Sequence, residues 1–148
     1  MDFANVFQFY TSNATALLIL LAVLGLAVGS FLNVVVYRLP IMLTRKRAGG
    51  DTSTPFTLSA PDSHCPRCNH ALQWYENVPV LSWLALRGKC SSCRAPISAR
   101  YPLVELLTSG LFVGAGAVFG PTSGLLGALL LLPALVALAF ISYDRISG

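Results

Sequence analysis

ATALLILLAVLGLAVGSFLNVVV, residues 14–36, runs for 23 residues without a charge. A helix needs about 20 apolar residues to cross a hydrocarbon core of about 30 Å, so this stretch reads as a membrane span. A secretory signal is a poor alternative: the apolar stretch is too long, and Asp2 is the only charge before it. Two more apolar stretches follow, Pro102 to Phe119, which contains Glu105, and Ser123 to Ile141, which contains Pro133. Composition agrees, since 55% of the 148 residues are hydrophobic, 11% are charged and the mean hydropathy is +0.67. Soluble domains carry about 25% charged residues. The expected fold is an all-α polytopic membrane protein with about three transmembrane helices.

The cations set an orientation. Nine of the ten Lys and Arg residues lie between Arg38 and Arg100, and the tenth, Arg145, follows the third span. The positive-inside rule then places the amino terminus outside and the large loop and carboxyl terminus in the cytoplasm. The net charge of +4 is thereby a topology signal, and nucleic-acid binding is not expected. Phe3, Phe7, Phe9 and Tyr10 fit an outer aromatic belt.

Inside the loop, Cys65-Pro-Arg-Cys68 and Cys90-Ser-Ser-Cys93 form two C-x2-C hooks with 21 residues between them. Each hook supplies two thiolates, and two hooks complete a tetrahedral zinc site. A reducing cytoplasmic loop favours metal over disulfides. With four thiolate ligands such a site is closed, so zinc would fold the loop rather than catalyse. A dithiol redox pair is the competing chemistry.

Three regions follow: 1–40, an external amino terminus and the first span; 41–101, the zinc-binding loop; and 102–148, the second and third spans. Tyr37-Arg38-Leu39-Pro40 is expected to end the first span with a cation and a proline stop. Gly49 to Pro55 reads as a mobile connector. Between the hooks, Leu72, Trp74, Tyr75, Val78, Val80, Leu81, Trp83, Leu84 and Leu86 are too apolar for a solvated loop. They predict a short helix over about 80–86, lying in the inner headgroup region or packed into the loop's own core.

Within the spans, Gly25/Gly29, Gly110/Gly114 and Gly116/Gly120 have G-x-x-x-G spacing, which lets helices approach closely. Asn33 is placed to bond across helices. Glu105, a carboxylate about one turn into a span, marks either a functional site or an interfacial ion pair with Arg100 or Arg38. On position alone Asp144 is a plain interfacial acid.

These residues, in this order, resemble the amino-terminal region of bacterial type IV prepilin peptidases. The carrying stretches are Gly29-Ser-Phe-Leu-Asn-Val-Val-Val-Tyr-Arg-Leu-Pro40, the first hook, and Glu76-Asn-Val-Pro-Val-Leu-Ser-Trp-Leu84. Arg87-Gly-Lys-Cys-Ser-Ser-Cys93 and Pro96-Ile-Ser-Ala-Arg-Tyr-Pro-Leu-Val-Glu105 continue the likeness, which covers roughly residues 20 to 144. The resemblance implies a multi-pass protein of the bacterial inner membrane that cuts the basic leader from prepilins or pseudopilins. It also implies methylation of the new amino-terminal residue with S-adenosylmethionine, with Gly88 matching a glycine linked to that step. The four-cysteine loop looks like the methyltransferase-associated part, and Glu105 is a candidate to hold the substrate amine.

Cleavage in the family uses two aspartates on membrane helices, a pair able to share a proton and activate water. The first falls on Ser142 without a gap, or on Asp144 with a small shift. The family's L-P-D and G-x-G-D segments do not occur in these 148 residues. One carboxylate makes no dyad, so this chain alone is expected not to cleave prepilin. Two other readings stand beside the enzyme: a non-catalytic zinc-stabilised scaffold or partner subunit in pilus or type II secretion assembly, and a membrane dithiol oxidoreductase. A homo-oligomer or a separate carboxyl-terminal half stands open as a partner. Nine cations against three acids between Arg38 and Arg100 would repel a basic leader.

Overall fold

The structure, a computed structural model, describes residues 3–49 and 56–147, with side chains from residue 13 to 146. Its elements are α1 (Phe3–Arg47), a 3-10 turn η1 (Trp74–Asn77), α2 (Leu81–Ala85), α3 (Arg100–Phe119) and α4 (Ser123–Ser147). Three helices are long and apolar enough to cross a membrane: α1 over Asn13–Arg47, α3, and α4 over Ser123–Ile146. The all-α polytopic expectation therefore holds. The side chains of the proposed outer aromatic belt, and connector residues 50–55, lie outside the described residues.

One correction concerns Pro40. The helix does not stop there but runs on to Arg47. Proline removes one N–H from the ladder and crowds the carbonyl four residues back, which bends or ends a helix only when nothing else holds the next turn. Here only the bond to the Val36 carbonyl is forgone, the following residues continue the helix, and Arg45, Lys46 and Arg47 close the last turn, where cations suit the helix dipole. At 45 residues and about 1.5 Å per residue, α1 is far longer than a bilayer core, so its ends project beyond the apolar segment.

The helices pack through two apolar clusters. Leu32, Val36, Val104, Val136 and Ala137 form one, and Leu21, Phe112, Ala115 and Leu125 form the other. Helices α1 and α3 meet most closely. A Cβ on Gly25 would lie 2.5 Å from the Ser109 Cα, and one on Gly29 would lie 2.6 Å from the Glu105 Cα. Without a hydrophobic drive between helices in lipid, such approach supplies van der Waals contact and backbone bonds. The Ser109 hydroxyl donates across this seam to the Ala22 carbonyl at 2.9 Å, and the Asn33 amide donates to the Tyr101 carbonyl at 3.1 Å. The Gly25/Gly29 pair thus builds an interface as its spacing predicts. Gly110 and Gly114 face open space, and Gly116 lies under the Leu21 side chain.

Candidate metal centre

The two hooks fold alike. In the first, the Cys65 N–H donates to the His70 carbonyl and the Asn69 N–H to the Cys65 carbonyl, both at 2.9 Å. In the second, the Cys90 N–H donates to Ala95 at 2.8 Å and the Arg94 N–H to Cys90 at 3.1 Å. Single bridges close each hook, His64 with Ala71 and Lys89 with Pro96. Asn69 and Arg94 both take left-handed backbone, with φ of 56° and 61°. The duplicated C-x2-C therefore marks a duplicated fold, and each turn exposes two backbone N–H groups toward its first cysteine.

The thiols converge. All four Sγ atoms lie within 4.8 Å of one another, and the cross-hook pairs Cys65–Cys93 and Cys68–Cys90 are 3.8 and 4.0 Å apart. A tetrahedral zinc with bonds of about 2.3 Å needs sulfur–sulfur edges of about 3.8 Å, so the donor set fits the ion. It does not fit a disulfide, whose sulfurs are about 2.05 Å apart. The Arg67 and Cys68 N–H groups pull the Cys65 thiol down to about 6, and those of Cys93 and Ser92 also lower Cys90. Cys93 is pushed up to about 11, where the Ala95 N–H is outweighed by the crowded thiols of Cys68, Cys65 and Cys90. Two thiols lowered by backbone N–H groups beside Cys93, which is pushed up, are what a bound cation would relieve.

Glu76 ties the two hooks together, a role that no spacing rule announced. Its carboxylate accepts from the Gln73 N–H at 2.8 Å, pairs with the His70 ring at 3.1 Å, and is bonded by the Ser91 side chain. Ser91, then the Gln73 N–H and His70, hold the Glu76 carboxyl below its ordinary value. Charge-assisted bonds of this kind orient the loops that carry ligands.

Gly88 occupies a tight turn that a side chain would not fit. Its φ is +65°, and a Cβ there would lie 2.8 Å from the Trp83 ring. Its carbonyl accepts from Ile97 N–H at 2.7 Å, while the Trp83 indole donates to the Ile97 carbonyl at 3.1 Å. Trp83 thus belongs to the loop's own core. Helix α2, Leu81–Ala85, matches the expected short helix to within a residue at each end.

Arg38 and Glu105 dock the loop to the membrane helices, and here the expected pairing of Glu105 is corrected. Arg100 is taken by Asp144, in a two-pronged pair at 2.7 and 2.8 Å. Arg38, only 7% exposed, donates to the Thr57 and Pro61 carbonyls at 2.9 and 2.6 Å. Glu105 meets neither cation. Its carboxylate accepts from the Val80 N–H at 2.7 Å and from the Ser30 hydroxyl. Val80 holds φ 59° and ψ −48°, a region costly for a β-branched residue. Polar bonds made inside the protein are how a buried carboxylate avoids an uncompensated charge. Asp144 lies near the end of α4, tied to the first residue of α3, and Ser142 is exposed on the same helix.

Residues 23–119 match the bacterial peptidase A24 N-terminal domain. A prepilin leader peptidase/N-methyltransferase of Aeromonas hydrophila is 51% identical over 132 residues, which are 82% of this chain and 46% of that protein. Proteins of the same name from Burkholderia pseudomallei and Myxococcus xanthus are each 53% identical, covering 80% and 86% of this chain and 42% and 34% of their own lengths. The chain thus spans less than half the length of each of these three relatives. No solved structure matches it. With a family match that contains both cysteine hooks, Glu76, Gly88 and Glu105, the chain belongs to the bacterial peptidase A24 N-terminal domain family.

Proposed function

We propose that this chain is the amino-terminal, metal-bearing membrane domain of a prepilin leader peptidase and N-methyltransferase. The observation that carries the reading is the similarity over residues 23–119. That stretch holds the four-thiol cluster and the Glu105 contact that docks it to the helices. Its relatives bear that enzyme's name. Zinc is the ion we assign to Cys65, Cys68, Cys90 and Cys93. When bound it supplies structural cross-linking of the two hooks and no open position for chemistry. The cations between Arg38 and Arg100 support a cytoplasmic loop in a bacterial inner membrane.

The substrates in this reading are prepilins or pseudopilins, and the methyl donor is S-adenosylmethionine. An α-amine with a pKa of about 7.7–8.0 is partly neutral at pH 7, so methyl transfer asks mainly for orientation and desolvation. Gly88 serves it by fixing the Trp83 turn. Glu105 serves as the docking acceptor for Val80, since the same carboxylate also receives Ser30. Asp144 is the acid closest in sequence to the family's first aspartate, and Arg100 holds it in a bidentate pair. No second carboxylate pairs with it among the described residues. We therefore expect the 148-residue chain not to cleave prepilin by itself.

The test is to incubate the chain, purified in lipid, with an uncut prepilin, with a pre-cut pilin and with labelled S-adenosylmethionine. Zinc near one ion per chain and label on the pre-cut pilin support the reading. Cleavage of the uncut prepilin would contradict the peptidase part. Label without zinc would contradict the metal part.

A further inference from the structure

Several large apolar side chains on the cysteine loop are more than half exposed. Leu81 is 65% exposed, Leu84 58%, Trp74 81% and Tyr75 57%. Leu81 and Leu84 are three residues apart on α2 and share one face, while Trp83 turns inward to Ile97 and Gly88. Trp74 and Tyr75, stacked edge to face at 5.7 Å, sit on η1, which packs beside α2.

One contact ties α2 directly to a membrane helix. The Val80 N–H, immediately before Leu81, is 2.7 Å from the Glu105 carboxylate. Glu105 lies five residues beyond Arg100, the first residue of α3. At about 1.5 Å per residue, that is about 7.5 Å along a span-length helix from its first residue. Interfacial helices sink their apolar face by about 5–10 Å, so the two depths agree. Around this level α3 turns Tyr101, Leu103 and Leu106 outward, with Leu103 58% exposed like Leu84. Exposed apolar side chains of α2 therefore sit at the level of exposed apolar side chains on a span-length helix. Arg87 and Lys89 follow α2 directly and are exposed, and residues 56–100 carry five cations against two carboxylates. That balance suits anionic headgroups.

We propose that α2, through Leu81 and Leu84 and flanked by the η1 aromatics, is immersed in the interfacial layer of an anionic bilayer. The occupant of this face is lipid, and the metal-bearing loop rests on the membrane instead of standing clear of it. The inference rests on reading α3 as a span, and the experiment tests the two separately.

Spin labels at Leu84→Cys, at Leu103→Cys and at Asp62→Cys are placed in the full chain, in phosphatidylethanolamine–phosphatidylglycerol nanodiscs. Retained zinc confirms that each variant is folded and that the hooks are unlabelled. Leu103 is the lipid reference and Asp62 the aqueous one. The proposal expects the Leu84 label to be relaxed more by oxygen than by a water-soluble nickel complex, as at Leu103. Dominance of the nickel complex at Leu84 with oxygen dominant at Leu103 overturns the proposal and leaves the spans standing. Shielding of Leu84 from both reagents also overturns it, because a protein then covers the face. Nickel dominance at Leu103 overturns the span reading instead. A second readout needs no thiol: brominated lipids should quench the fluorescence that wild type has and Trp74→Phe lacks. If that difference is quenched only by aqueous acrylamide, the aromatic flank is not in lipid and the proposal fails.

Discussion

Glu105→Ala should loosen α2 while leaving the metal centre intact. The Val80 N–H and the Glu105 carboxylate are 2.7 Å apart, and Glu105 is 6% exposed. A hydrogen bond to a charged group contributes about 1.5–3 kcal/mol, and leaving a buried N–H unpaired costs in the same range. Val80 also holds a backbone conformation costing about 1–3 kcal/mol, which persists only while its surroundings enforce it. Removing the acceptor therefore favours local opening of the α2 turn by about 2–3 kcal/mol. At about 1.4 kcal/mol per factor of ten, amide exchange at Leu84 and Leu86 should rise by roughly 30–150-fold.

Glu105→Gln keeps an acceptor oxygen but loses the charge, and neutral bonds are roughly half as strong, so its exchange should rise by only about 3–10-fold. Global stability is the wrong readout, because deleting a buried carboxylate also relieves its desolvation cost. The assay is residue-resolved hydrogen–deuterium exchange in lipid, with zinc content measured in parallel. Equal exchange at Leu84 and Leu86 in wild type and Glu105→Ala would refute the docking argument. Zinc loss in step with exchange would show that loop and dock are one cooperative unit.

Gly88→Ala should destabilise the loop by about 1–2 kcal/mol from the left-handed backbone alone, with the 2.8 Å approach to Trp83 adding to it. Zinc transfer to a chelator reports this as roughly a 5–30-fold faster release. Glu76→Gln should lower zinc retention at neutral pH. Because the folded Glu76 carboxyl is held below its ordinary value, its contribution is present above about pH 4.3 and is lost as pH falls through the lowered value. The gap between wild type and Glu76→Gln should therefore close on acidification, and a gap that widens would be contrary. Arg100 and Asp144 are 33% and 39% exposed, so a double-mutant cycle on their pair should give no more than about 1 kcal/mol of coupling. Gly29→Leu puts a side chain where even a Cβ would be 2.6 Å from the Glu105 backbone, and cross-linking between α1 and α3 should fall sharply.

The spans, the hooks and the Gly25/Gly29 seam were legible because each rests on a local rule: an uncharged run, a ligand spacing, a small-residue spacing. Asn33 was legible for the same reason, as a polar side chain in a span that must find a partner. What escaped depends on pairs distant in sequence. Glu105 looks like a partner for Arg100 or Arg38 because those cations are near it in the chain or at the same membrane level. Its acceptor is used instead by the backbone of Val80, 25 residues away, and no side-chain pattern announces a backbone donor. Glu76 was invisible as a brace for the same reason, since its partners His70, Gln73 and Ser91 come from both hooks. Pro40 misled because a proline forgoes one bond, here to the Val36 carbonyl, and does not by itself end a helix whose later turns are complete and closed by three cations.

The two sites that stand out, the four thiols and Glu105, divide one task. The loop between the hooks is too short to bury a core that would hold it alone, and a metal in the thiol cluster would supply that cohesion. A metal fixes the loop internally but says nothing about where it sits on the bundle. That second constraint comes from Glu105, whose backbone carries the close packing of Gly29 and whose carboxylate carries Val80. The same residue thus joins the α1–α3 seam to the loop. Any change in that seam moves the anchor of α2, whereas changes in the hooks need not. Mutations should accordingly fall into two groups. Those at the cysteines, Glu76 and Gly88 should change metal retention first, and those at Gly29, Ser30 and Glu105 should change loop placement with metal retained. A Ser30→Ala variant that lost zinc as readily as Cys68→Ser would break this division.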